Sequence, residues 1–124
     1  MTRNADQSKP IFMLIYKILR PHEWEDLRAN GETQGAPIDV DDGFVHFSAA
    51  TQVRETAAKH FDGEGDLILL AVETDGMGDE LRWEVSRGGA KFPHLYRMLR
   101  MDDVVRHEPI ELMRGVHVFP KDIP

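Results

Sequence analysis

Two runs of apolar residues predict the main strands of the chain. Met13–Leu19 is apolar on both alternating faces apart from Lys17, and Leu67–Glu73 is a continuous apolar run that ends in an acidic residue. Both patterns are typical of strands that are covered on both sides, because a strand with one solvated face alternates apolar and polar residues. We therefore expect Leu67–Glu73 to be a central strand of the main sheet.

A shorter strand is predicted after a strong turn signal. Asp42-Gly43 favours a turn, and Phe44–Phe47 follows it as a short segment rich in aromatic residues. Successive side chains of a strand point to opposite faces, so His46 and Ser48 would share one face. The remaining predicted strands are Leu81–Ser86, Val104–His107 and Val116–Phe119.

Two short helices are predicted between these strands. His22–Asn30 follows a proline, which suits the first turn of a helix, and precedes a glycine, which suits its end. The second helix would begin after a capping hydroxyl, from Ser48 or Thr51, and run to about Phe61. Glu32–Asp42, which lies between the first helix and the turn, is predicted to be a loop.

The element order predicts an α+β fold. The chain would run β-α-β-α-β-β-β-β, and two helices are too few for a doubly wound α/β fold, in which a helix covers nearly every crossover. We therefore predict a mixed or mainly antiparallel sheet with two short helices, in a single α+β domain over residues 13–124. Residues 1–12 are mostly polar and are predicted to form a flexible N-terminal tail. The alternative is an upstream start codon ahead of a domain that begins near Met13.

Composition narrows the classes of function. The chain has 124 residues, of which 22 are acidic and 15 basic, so its formal net charge is −7. A protein that binds nucleic acids or membrane surfaces in general needs an excess of basic residues, which this chain lacks. It has no cysteine, which excludes disulfides and cysteine nucleophiles. No apolar run approaches the ~20 residues of a membrane span, and no signal peptide is visible. We therefore expect a soluble cytoplasmic protein, and composition leaves an enzyme and a binding module equally open.

His46 and Ser48 form the first candidate constellation. On a strand their Cα atoms would lie roughly 6.6–7 Å apart on one face, where a hydroxyl of a sugar or a phosphate could bind both side chains. The alternative is that His46 anchors a backbone carbonyl and Ser48 caps the second helix.

Glu84 is the second candidate, on the charged face of the strand Leu81–Ser86. A carboxylate held there could act as a general base or orient a ribose hydroxyl. The alternative is a solvated strand glutamate paired with Arg82 or Arg87.

A glycine pair and an aromatic segment form the third candidate. Two adjacent glycines allow the backbone to approach a ligand closely, the basic residues beside them suit an anion, and the rings that follow could stack on a base. The alternative is a mobile hairpin loop followed by core aromatic residues. The residues of this segment that could contact a nucleotide are Arg87, Gly88, Gly89, His94 and Tyr96.

Known metal, nucleotide and hydrolase motifs do not occur. The six histidines show no HExxH pattern and the acidic residues at 39–42 lack EF-hand spacing, so we predict no metal site. The Walker, Rossmann and GxSxG signatures are also missing.

Several motifs together resemble a small, mostly bacterial family, domain of unknown function 952. The likeness covers about Ile15 to Phe119, nearly the whole predicted domain. That family is similar in fold to the ADP-ribosyltransferase-like superfamily, which binds NAD in a cleft between two small sheets. The motifs that carry the resemblance are Asp42–Ser48 (DGFVHFS), Gln52-Val53, Asp66–Leu70 (DLILL), Trp83-Glu84 and Phe92–Tyr96 (FPHLY).

The resemblance implies an enzyme that takes NAD as a substrate and transfers an ADP-ribosyl or similar glycosyl group. His46 matches the strand histidine that hydrogen-bonds the nicotinamide-side ribose in that superfamily, with Ser48 beside it. Glu84 is the nearest match for the glutamate that stabilises the developing positive charge, and His94 or Tyr96 would stack on nicotinamide.

Two other functions stay open from the sequence. The chain could be a non-catalytic module that binds a small ligand or a protein through the same cleft. It could also be a structural or regulatory partner with a flat surface around His46.

Overall fold

The computed structural model describes residues 13–123, so the predicted tail over residues 1–12 lies outside the described residues, as does the side chain of Arg87. The regular elements in chain order are β1 (Leu14–Leu19), α1 (Pro21–Asn30), β2 (Glu32–Thr33), α2 (Pro37–Asp42), β3 (Val45–His46), α3 (Val53–His60), β4 (Leu67–Glu73), β5 (Leu81–Val85), β6 (Lys91–Leu95), β7 (Leu99–Arg100), β8 (Val104–Met113) and β9 (Val116–Val118). Single turns of 3-10 helix lie at Gly78–Glu80, Arg87–Gly89 and Met101–Asp103.

The strands form three antiparallel sheets. The largest has the order β9-β8-β4-β1, the second has the order β3-β6-β5, and β2 pairs with β7. The fold is therefore α+β with antiparallel sheets, which confirms the predicted fold class. Three α-helices lie within residues 13–123, one more than predicted.

Strand β4 is central, which explains its continuous apolar sequence. It pairs with β1 on one side and β8 on the other. On one face Leu70 belongs to the same buried cluster as Leu27 of α1, and on the other Leu69 belongs to the same buried cluster as Val53 of α3. Because both faces are covered by helices, neither has polar positions, and each fully buried leucine contributes about 1.5–3 kcal/mol relative to an exposed one.

A β-bridge joins β1 of the largest sheet to the segment that follows β3. Tyr16 of β1 and Ser48, just after β3, exchange two backbone hydrogen bonds of 2.8 Å each. The N–H of Phe47 donates to the carbonyl of Pro93 in β6 at 3.0 Å. The bridge brings the three-stranded sheet against β1.

The predicted loop over Glu32–Asp42 is wrong, because it contains β2 and helix α2. Pro37 occupies the first helical position, the Asp39 carboxylate accepts the N–H of Ala36 at 2.7 Å, and Gly43 ends the helix at φ 84°. A helix of six residues is too short to show an apolar period, so only its end signals mark it.

The predicted N-cap at Ser48 or Thr51 is also wrong. Helix α3 begins at Val53 after Gln52, and the Ser48 hydroxyl lies 2.8 Å from that of Thr56. Strand β6 was not predicted, because Pro93 lies within it and proline is rare in a central strand.

Candidate functional site

One face of the three-stranded sheet collects polar and aromatic side chains. His46 of β3 lies directly opposite His94 of β6, and Arg82 of β5 lies opposite His94 on the other side. Residues two apart along a strand share a face, so this alternation brings a cluster together. Its members are Phe44, His46, Arg82, Glu84, Phe92, His94 and Tyr96.

A cleft of about 410 Å³ lies between this sheet, β1, α2 and α3. That volume falls within the roughly 300–1,000 Å³ typical of small-molecule sites. The surface around His46 is therefore concave, and the flat surface that would favour a purely structural role is not found there. The polar side chains that line the cleft are Lys17, Arg20, Asp39, Asp42, His46, Ser48, Thr56, His60, Ser86 and His94.

Asp39 holds the imidazole of His46. Its side chain is fully buried, and its Oδ1 accepts the Nδ1–H of His46 at 2.5 Å and the backbone N–H of His46 at 3.0 Å. A carboxylate only accepts hydrogen bonds, so each ring nitrogen that faces one carries a proton, Nδ1 towards Asp39 and Nε2 towards Asp42. The side chain of His46 is 29% exposed and its Nε2 lies 3.0 Å from the carboxylate of Asp42.

Lys17 balances the buried charge of Asp39. Its ammonium lies 3.0 Å from Oδ2 of Asp39 and donates to the backbone carbonyl of His46 at 2.9 Å. Burial raises the pKa of Asp39, but the hydrogen bond from His46 and the charge of Lys17 outweigh it and hold that pKa at about 2. Asp39 is therefore an anion at any physiological pH.

The close packing around Asp39 explains the glycine at position 35. Gly35 has φ 99°, and a side chain there would overlap the Asp39 carboxylate. The backbone at 35 therefore approaches the carboxylate more closely than any other residue type permits.

Asp39 should make the chain less stable in acid. The unfolded chain takes up the proton near the ordinary pKa of 3.8, whereas the folded chain takes it up only near 2. The stabilisation is therefore complete above the unfolded value and is lost as the pH falls towards 2, by about 2 kcal/mol in the free energy of unfolding. Urea unfolding across this range should show the loss. The loss should be smaller in Lys17→Met, and equal losses in the two proteins would contradict the assignment.

Glu84 holds the second imidazole of the cluster. Its Oε1 lies 2.7 Å from Nδ1 of His94 and accepts the hydroxyl of Tyr96 at 2.7 Å. The bond from His94, followed by that from Tyr96, lowers the pKa of Glu84, and the bond to Glu84 raises the pKa of Tyr96. The guanidinium of Arg82 lies 4.5 Å from the centre of the Tyr96 ring.

The cleft brings together three of the predicted site residues, His46, Ser48 and His94. Glu84 does not line the cleft and reaches it through His94. Tyr96 lines a separate, smaller hollow of about 240 Å³ together with Phe44.

The glycine pair lies in the turn between β5 and β6. Gly88 and Gly89 have φ 67° and 79° and form the 3-10 turn of that hairpin, with Ser86 lining the cleft just before it. Neither glycine lines the cleft, so the glycine pair and His46, two of the candidates from the sequence, do not share one hollow.

Sequence reasoning missed Asp39 and Lys17. The loop prediction groups Asp39 with the other acidic residues of that segment, although a proline two residues before it is a helix-start signal. Lys17 was visible as the one charged residue inside an apolar strand, a position where a buried partner is expected.

No group of three His, Asp or Glu side chains between residues 13 and 123 is arranged to hold a metal ion. In the same range, no helix has the length and apolar character needed to cross a membrane.

Comparison with known proteins finds one family and solved structures of one bacterial protein. The model of the family described as protein of unknown function (DUF952) matches residues 18–107. The crystal structure of protein CC0527 from Caulobacter crescentus is 50% identical, with a TM-score of 0.81 over 85% of this chain and 93% of that one. The solution NMR structure of CC0527 is 51% identical, with a TM-score of 0.75 over 83% of this chain and 90% of that one. No curated protein matches the chain.

Proposed function

The chain belongs to the DUF952 family, and from this premise we propose that it binds NAD or a related nucleotide in the cleft and transfers an ADP-ribosyl or similar glycosyl group. The observation that carries the proposal is the imidazole of His46, held by a buried carboxylate at the wall of a cleft of about 410 Å³. Support also comes from the two antiparallel sheets that meet at this cleft, which agree with an ADP-ribosyltransferase-like fold.

His46 is the residue that would contact the ribose. Asp39 fixes the orientation of its ring, so that Nε2 is the atom left for a ligand hydroxyl. The carboxylate of Asp42, 3.0 Å from Nε2, would give up this contact when the ligand binds. Ser48 and Thr56 add hydroxyls to the same wall.

The far end of the cleft suits the rest of the nucleotide. Arg20, His60 and Phe61 line it, and the Arg20 guanidinium lies 4.7 Å from the centre of the Phe61 ring. The guanidinium is paired with Glu64 at 2.8 Å, so a phosphate would have to share this arginine with the carboxylate, and the aromatic ring of Phe61 can stack on a base.

The chemical step would break the bond between the ribose C1′ and nicotinamide. Nicotinamide leaves with the bonding electron pair, an acceptor nucleophile forms the new bond to C1′, and the acceptor gives up a proton. Positive charge develops on the ribose, and Asp39 and Asp42 supply negative charge at the cleft wall. Glu84, which does not line the cleft, would be a positioning residue that acts through His94.

The alternative is a non-catalytic binding module on the same fold. It is favoured by the position of Glu84, because the glutamate expected at the reacting centre lies behind His94.

A combined binding and turnover measurement tests both functions. Calorimetry should detect binding of NAD, and chromatography should detect release of nicotinamide when an acceptor or water is present. Binding without release at high protein concentration would support the module. Neither binding nor release at millimolar NAD would contradict the proposed function.

A further inference from the structure

His94 has a ring nitrogen with no protein partner. The residue is only 4% exposed, and its Nε2 is buried without a hydrogen bond to any residue in the described part of the chain. Buried polar atoms almost always have a partner, so an exception at the wall of a cleft indicates a missing ligand group or an ordered water.

The carboxylate of Glu84 determines what this nitrogen can do. Glu84 can only accept, so Nδ1 of His94 carries the proton in the 2.7 Å contact between them. The neutral ring then has its lone pair on Nε2, which makes that atom a hydrogen-bond acceptor.

The ring lies where a ligand in the cleft would meet it. His94 lines the cleft and Glu84 does not. Phe44 stacks on the ring with centroids 4.2 Å apart, and the ring of His46 stands edge-on at 5.3 Å. Nε2 is therefore the polar atom of His94 left for the cleft, and a ligand would reach it by displacing the side chains that cover it.

We propose that Nε2 of His94 accepts a hydrogen bond from a neutral donor of the bound nucleotide, and that Glu84 is the positioning residue that keeps this nitrogen an acceptor. The inference rests on the proposed function and names the chemistry the ligand needs at this point. A hydroxyl or a carboxamide N–H can donate to Nε2, whereas a carboxylate has no proton to donate and its oxygens would be repelled by the lone pair of Nε2.

Histidine ring nitrogens observed by NMR in ¹⁵N-labelled protein test the proposal. Before ligand is added, His94 should be protonated at Nδ1. His117 is an internal reference with the opposite tautomer, because its Nε2 donates to the backbone carbonyl of Glu64 at 2.8 Å. Protonation of His94 at Nε2 in the free protein would overturn the proposal.

Titration with two ligands identifies the donor. NAD should shift the Nε2 resonance of His94 towards the value of a hydrogen-bonded nitrogen. The same shift with ADP-ribose assigns the donor to a hydroxyl, and a shift with NAD alone assigns it to the carboxamide. A ligand that shifts the ring of His46 and leaves His94 unchanged would overturn this inference alone, whereas no binding of either ligand would overturn the proposed function as well.

Two variants separate positioning from simple packing. Glu84→Gln should give a mixture of His94 tautomers and weaken NAD binding at least about tenfold, the range expected when a charged hydrogen-bond partner is lost. Tyr96→Phe removes the other hydrogen bond to Glu84 and should leave the His94 tautomer unchanged. Identical tautomer populations in the wild-type protein and Glu84→Gln would overturn the role assigned to Glu84.

Discussion

Asp39→Asn should lower the free energy of unfolding by about 3–5 kcal/mol, because it removes the partner of a buried charge. The carboxylate of Asp39 is fully buried and lies 3.0 Å from the ammonium of Lys17 and 2.5 Å from Nδ1 of His46. An amide at this position leaves the ammonium of Lys17, whose side chain is 7% exposed, without the carboxylate that balances its charge. Urea unfolding at neutral pH measures the loss.

Two further variants test that explanation. Asp42→Asn changes a carboxylate that is 46% exposed, and it should cost less than about 1 kcal/mol. Combining Asp39→Asn with Lys17→Met should restore part of the stability, since the buried charge is then removed with its partner. A cost of Asp39→Asn as small as that of Asp42→Asn would show that the Lys17–Asp39 pair does not stabilise the fold.

His46→Ala should reduce kcat/KM for nicotinamide release by roughly 10- to 100-fold, the range expected when a charge-assisted hydrogen bond to the ribose is lost. The side chain is 29% exposed, and Asp39 keeps its contact with Lys17 when the imidazole is removed. The variant should therefore stay folded, with circular dichroism and an NMR spectrum close to those of the wild type.

His22→Ala is the matched control for His46→Ala. His22 is an exposed histidine on α1 and does not line the cleft, so its removal should leave kcat/KM unchanged. Equal activity of His46→Ala and the wild-type protein would remove His46 from the mechanism.

The sequence predicts the elements of the fold best where burial is strong or where the ends of a helix are marked. The apolar run in β4 predicts a strand covered on both faces, and the structure places helices on both sides of it. Helix α1 was predicted almost to the residue, because Pro21 and Gly31 mark its ends. Such signals are local, so a single sequence is enough to read them.

The missed elements lack a readable apolar pattern, although Pro37 and Gly43 mark the ends of α2 as Pro21 and Gly31 mark those of α1. Helix α2 has six residues, fewer than two full turns, and β6 contains a proline at a central position of its sheet. Both elements depend on tertiary contacts. Helix α2 is held to β3 because the Asp39 carboxylate accepts the backbone N–H of His46, and β6 is held by its pairing with two neighbouring strands.

The same contacts explain how much of the candidate site could be predicted. Alternation predicts that His46 and Ser48 share a face, because it depends only on spacing along the chain, and both side chains line the cleft. The pairing of His46 with His94 depends on the register between β3 and β6, which no local pattern reveals. The position of Glu84 behind His94 follows from a different register, the one between β5 and β6.

A crystal structure of the chain soaked with NAD is the most direct test of a nucleotide site in this cleft. We expect the ribose hydroxyls to lie within hydrogen-bond distance of Nε2 of His46, about 2.7–3.2 Å, with the phosphates towards Arg20. An unoccupied cleft at saturating NAD, or a nucleotide bound elsewhere on the surface, would contradict the assignment.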